Sequence, residues 1–251
     1  MGGSSPGRAL AATAPSFEVV FIDETGTQRR EPLSACWDVP FERAKPSRSF
    51  PSFKGQKNFP GLWWSVTMGE HVGYESWVER DVAMLLDFDP EIVGFSAQPF
   101  WLLWSGERGE RKHAPDFFAR RTDGTGVVID VRPDDRVDPE AAEVFEVAAS
   151  ACREAGWQFR RTGAPPAVLT ANVRWLAGYR NPRCHRPEIA DALIERFAAP
   201  MPLFTGAAAV GDRLVVLPVL YHLLWRQVLV VDLAAAPLSP GSLIHLAAAA
   251  R

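Results

Sequence analysis

The residues best able to do chemistry in this chain lie between positions 113 and 132, HAPDFFARRTDGTGVVIDVR. Pro115-Asp116 opens one apolar run, and Asp130-Val131-Arg132 closes a second after the polar turn at 122–126. In VVIDVR the two-residue strand period puts Val128, Asp130 and Arg132 on one face and Val127, Ile129 and Val131 on the other. Asp130 and Arg132 therefore project side by side. If the turn brings Asp116 alongside, two carboxylates and a guanidinium converge where a sheet ends. Grouped carboxylates suit a hard divalent cation such as Mg2+ or Mn2+, which also takes water and phosphate oxygens. The chemistry that uses such a site is phosphodiester hydrolysis, with a nearby cation offsetting charge on the phosphate. A structural ion pair, Asp130–Arg132 or Asp116–Arg132, is the competing account, since D-x-R is a weak pattern.

The elements that must position these residues read as helix, three strands, helix. The spacing predicts a helix from Tyr74 to about Asp87, with Gly73 as N-cap and an apolar stripe of Val78, Val82 and Leu85. Glu75 and Glu79 share that stripe, so two carboxylates face inward, which is costly unless they are paired or hold a metal. Glu75 in a first turn also complements the helix dipole. FSAQPFWLLW at 95–104 is a strand with a bend or edge at Gln98-Pro99. Residues 112–120 and 127–132 read as a strand pair. Asp138-Pro139 opens a helix that ends at Gly156. Lys112 precedes Asp116 by four residues on the same strand face, so it is either a second cation for the site or a solvated strand start. His113, with no second ligand nearby in sequence, is expected to be a strand-edge residue.

Charge is uneven along the 251 residues. Positions 75–146 carry 17 acids against 8 bases, while 157–226 carry 9 arginines against 4 acids. This suits an acidic metal centre beside a polyanion-contacting surface, or simply solvated faces. The stretch 41–61 has no helix or strand period. It interleaves Arg43, Lys45, Arg48, Lys54 and Lys57 with Phe41, Phe50, Phe53 and Phe59. It is either a DNA-contacting arm or a Pro-rich connector whose phenylalanines pack on the core. Cys36, Cys152 and Cys184 are far apart with no CxxC spacing, which argues against a disulfide framework or zinc site and for a reducing, cytoplasmic setting. Residues 214–236 are the one apolar stretch of spanning length. They include Arg226 and Asp232, and a mid-span charge costs about 2.5 kcal/mol or more, so a buried helix and strand are expected and no membrane association.

From Arg48 to Pro133, through KGQKNFPGLWWS, HVGYESWVERD, LLDFDPEIVGFSAQPFWLLW, HAPDFF and VVIDVRP, the chain resembles the PD-(D/E)xK nucleases. More narrowly, it is similar to the TnsA-type endonuclease subunits of heteromeric transposases. The resemblance covers about a third of the chain. It implies that Glu75, Asp116, Asp130 and the Val131 carbonyl bind Mg2+ or Mn2+, and that residue 132 assists catalysis. It also implies cleavage at the 5′ ends of a mobile element, with double-stranded transposon-end DNA, a partner transposase and an ATPase regulator as associates. The family usually has lysine where Arg132 stands. A guanidinium clamps phosphate or orients a bound water but cannot act as a base. Gln98 matches the family's Gln-Pro strand and is either a site-lining residue or an edge-strand hydrogen-bonding residue.

The expected fold is α/β: a restriction-endonuclease-like mixed sheet flanked by helices, with a small C-terminal winged-helix-like domain. The divisions are a disordered tail (1–16), an N-terminal strand and basic arm (17–61), the nuclease-like core (62–180) and the C-terminal domain (181–251). In that last domain, 187–198 and 217–225 read as helices and 227–233 as a strand. LPVLYHLLW is poor in base-reading side chains, so Arg183, Arg186 and Arg226 are expected to touch phosphate, or the domain to contact protein. Two other readings remain, a weakly active or inactive DNA-binding scaffold that docks the transposase and a stand-alone repair or restriction nuclease.

Overall fold

The computed structural model describes residues 16–23, 25–49, 59–106 and 109–248. Residues 1–15 of the expected tail, and Phe50, Phe53, Lys54 and Lys57 of the arm, lie outside them. The chain is a mixed α/β protein. Its first half runs β1 (Glu18–Ile22), β2 (Gln28–Pro32), β3 (Gly61–Ser65), β4 (Glu70–Tyr74), α1 (Trp77–Phe88), β5 (Ile92–Ala97), β6 (Phe100–Gly106), β7 (Gly109–His113), β8 (Phe117–Arg121) and β9 (Gly126–Val131). The second half adds α2 (Pro139–Glu154), β10 (Gln158–Thr162), α3 (Ala167–Ala177), α4 (Pro187–Arg196), β11 (Met201–Pro202), α5 (Leu203–Val210), α6 (Arg213–Trp225), β12 (Leu229–Val230) and β13 (Leu243–Leu246).

The expected strands are present: 127–132 is continuous as β9, 95–104 divides at the expected Gln98-Pro99 bend, and 112–120 divides as well. β5 and β6 flank Gln98-Pro99, and β7 and β8 flank Ala114-Pro115-Asp116, so a proline interrupts both partners of one antiparallel hairpin. Pairing continues through the gap, because the Gln98 N–H donates to the Asp116 carbonyl at 3.0 Å. On one side of the bend the hairpin joins a sheet ordered β2-β1-β6-β7, and on the other it joins β10-β9-β8-β5. Asp116 is thus at the point where the two sheets part. β5, β8 and β9 are antiparallel neighbours, and β10 returns parallel to β9 after α2, as a crossover helix permits.

The alternation read in VVIDVR holds. Val128 packs with Ala148, Ala151 and Cys152 of α2, whereas Val127 and Ile129 pack with Val82, Ala83 and Leu86 of α1. Both faces are covered, which is why this strand is nearly continuously apolar. Phe41 of the arm is fully buried, its ring 4.8–5.7 Å from those of Phe21, Phe100, Phe118 and Trp157. This part of the arm belongs to the core.

The helix expected from Tyr74 instead begins at Trp77, and Tyr74 ends β4. Ser76, not Gly73, is the N-cap: its Oγ accepts from the Glu79 N–H at 3.2 Å. The Glu79 carboxylate accepts from Ser76 Oγ at 2.8 Å and from the Glu75 N–H at 2.7 Å. Ser-x-x-Glu is the sequence signature of a capping box, closed here on the N–H one residue before the cap, and it outweighs a lone glycine. Glu75 is therefore outside the helix, and the face on the sheet is Val82, Ala83 and Leu86.

The C-terminal segment packs α4, α5 and α6 against the three-stranded sheet β11-β13-β12. The strand expected at 227–233 is only Leu229–Val230. α3 falls within the 62–180 division, yet its Val173, Leu176 and Ala177 join this C-terminal cluster, as does Met84 of α1. Among the described residues no helix is long and apolar enough to cross a membrane.

Candidate active site

The parting of the sheets opens a cleft of about 520 Å³. Its walls bring together Glu75 and Glu79 from the β4–α1 junction, Lys112 and His113 from β7, Asp116 from the break, and Asp130, Val131 and Arg132 from the end of β9. Residues up to 57 positions apart thus meet because the capping box, the double proline break and the end of β9 lie at one place.

Asp116 is anchored by its Oδ2, which accepts from the Val131 N–H at 2.6 Å. Its carboxyl is held well above the ordinary carboxylate range, first by burial and then by the charges of Asp130, Glu79 and Glu75. Burial likewise raises Glu79, against the two hydrogen bonds of the capping box. Asp130 is almost wholly buried, and both its oxygens lie 2.9–3.0 Å from His113 Nε2. Glu75 Oε2 accepts from Arg48 Nη2 at 2.9 Å, while Glu75 Oε1 is buried without a hydrogen-bond partner among the described residues.

Several sequence expectations change here. Glu79 lines the cleft, but both its oxygens are committed to the helix start. His113 does end an edge strand, as expected, and it also has Asp130 as a partner. Arg48, a DNA contact in one of the two readings of the arm and a solvated charge in the other, turns its guanidinium onto Glu75. Arg132 is exposed at the cleft edge and, among the described residues, donates only a long 3.5 Å bond to the Arg136 carbonyl. Among the described residues it pairs with neither Asp130 nor Asp116, so a structural ion pair does not account for it. Lys112 stands 4.4 Å from the Trp101 ring centroid. Gln98 does not line the cleft. It is 1% exposed, its backbone φ is +48°, and both of its side-chain polar atoms lack partners among the described residues. A non-glycine residue in the left-handed region with an unsatisfied amide is a strained position. Arg183 and Arg186 are exposed near the start of α4, outside the cleft walls.

Among the described residues, no group of three or more histidine, cysteine, aspartate or glutamate side chains is already spaced to hold a metal ion. In type, the donors fit a hard divalent ion. Among the described residues Glu75 Oε1 is a buried oxygen without a partner, and the Asp116 carboxyl is raised by burial and then by crowded negative charge. Glu75, Asp116, Asp130 and the Val131 carbonyl are the candidate ligands. Neither protein-family models nor curated proteins match the chain.

Proposed function

We propose that this chain is a metal-dependent DNA endonuclease of the PD-(D/E)xK kind, acting as a TnsA-like subunit of a heteromeric transposase that cuts the 5′ ends of a mobile element. The observation that carries the reading is the meeting of Glu75, Asp116, Asp130 and Arg132 in one cleft. The order α1, β5, β8, β9, α2, β10, with β10 parallel to β9, supports a restriction-endonuclease-like core. The order α4, β11, α5, α6, β12, β13, with β13 central in its sheet, supports a winged-helix-like C-terminal module.

A divalent ion held by Glu75, Asp116, Asp130 and the Val131 carbonyl would activate a water and offset charge on the departing oxygen. The Val131 N–H orients Asp116, and the capping box fixes the backbone from which Glu75 projects. Arg132 and Lys112 at the cleft edge supply positive charge to a phosphate, and Arg132 takes no part in proton transfer. α6 is buried along Val219–Trp225, which disfavours base reading and favours phosphate contact by exposed Arg183 and Arg186.

A second reading, a DNA-binding scaffold that docks the transposase, is favoured by the Arg48–Glu75 ion pair and by the absence of a ready three-ligand group among the described residues. Cleavage of duplex DNA in Mg2+ or Mn2+ by wild type and Asp116→Ala, with and without the partner transposase, separates the readings. Loss of cutting in the variant is expected, by 100-fold or more as is roughly typical for removal of an electrostatic stabiliser. Unchanged cutting leaves the scaffold, and cutting without any partner points to a stand-alone nuclease.

A further inference from the structure

His113 is the last residue of β7, and the proline break that follows turns it into the cleft. Its side chain keeps 22% of its exposure while that of Asp130 keeps 3%. Among the described residues, His113 is the one basic side chain within ion-pair distance of Asp130. Nε2 is 3.0 Å from Oδ1 and 2.9 Å from Oδ2. Two neighbouring donors on one octahedral ion, each about 2.1 Å from it, are themselves about 3 Å apart. The pair therefore has the separation of two adjacent ligands, and an ion entering from the cleft side would replace the hydrogen bond between them, with the ring proton kept on Nδ1.

Resting on the nuclease reading above, we infer that His113 is itself a ligand of the cleft's divalent ion, beside Asp130, and that its nitrogen biases the site towards Mn2+ over Mg2+. Mg2+ holds its waters and prefers oxygen donors, whereas imidazole suits later and softer ions, and Mn2+ tolerates both. Asp116, anchored through one oxygen, and Glu75 Oε1, unpartnered among the described residues, offer further oxygens on the same cleft wall. Water and phosphate oxygens complete the shell. Arg48 holds Glu75 through the other oxygen, so it need not leave for Oε1 to contribute.

The test is pulsed electron paramagnetic resonance of Mn2+ bound to the full chain, with calorimetric titration of Mn2+ and Mg2+ into the same samples. Wild type is expected to bind Mn2+ saturably and to show nitrogen coupling from an imidazole. In His113→Gln, whose amide still donates to Asp130, the coupling disappears and the Mn2+-over-Mg2+ preference falls by roughly 10-fold or more. Saturable Mn2+ without nitrogen coupling in wild type, or coupling that survives in His113→Gln, overturns the inference and leaves the carboxylate site standing. No saturable Mn2+ in wild type overturns both this inference and the metal-dependent reading beneath it.

Discussion

Asp116 is the residue whose environment has the clearest consequence for stability. Its carboxyl is raised by burial and by three neighbouring acids, so the folded state binds its proton more tightly than the unfolded chain does. The stability this contributes is fully present below the unfolded value of about 3.9 and is lost as pH rises through the higher folded value. Without divalent ions, Asp116→Asn is therefore expected to be more stable than wild type at neutral pH, by about 1–3 kcal/mol. The gap should close in acid. Thermal denaturation across that range checks it, and parallel profiles for the two proteins would contradict the crowding of charge at the cleft. The acids themselves were legible in sequence, because strand period and a short turn bring Asp116 and Asp130 together. Their partners were not. His113 reaches Asp130 across a sheet bend, and Arg48 reaches Glu75 from an irregular arm, and neither contact has a periodicity to announce it.

At the scale of the element, the start of α1 sets the geometry of the cleft. The Glu79 carboxylate closes the capping box and holds the Glu75 backbone, so its role is geometric. Glu79→Gln, which can still close a capping box, is expected to keep both stability and Mn2+ affinity close to wild type. Ser76→Ala should cost about 1 kcal/mol. Urea denaturation with Mn2+ titration distinguishes the roles: a Glu79→Gln chain that folds normally but binds Mn2+ far more weakly makes Glu79 a ligand. Sequence pattern located the strand pair, the turn at 122–126 and α2 with its Asp138 cap, where local signals agree with the tertiary fold. It misplaced the start of α1 because an apolar stripe can be drawn through Tyr74 as easily as through Trp77. It ran β7 and β8 together because a single proline does not reveal that the partner strand breaks at the same level.

Across the whole molecule, α1 belongs to two cores, and α3 packs wholly in the C-terminal one. Met84, Val173 and Leu176 are at most 1% exposed in the C-terminal cluster, although all three lie before residue 181. Ending the chain at residue 180 would uncover them. At about 1.5–3 kcal/mol for each side chain, that loss approaches the whole stability of an ordinary domain. The truncated chain is expected to aggregate or to lose its cooperative transition in calorimetry, and a fragment that melts like the intact protein would show the halves to be independent. The boundary near 181 follows the change in sequence character, but sequence carries no sign of which face of α3 finds a partner. The shared helix also works as a ruler. One end of α1 abuts the cleft, while near the other Phe88 meets Trp225, ring centroids 5.2 Å apart, and the 12 residues between span about 18 Å. That is roughly five base-pair steps of duplex DNA. The C-terminal module is therefore held at a set distance from the cleft, and that distance is written into the length of one helix.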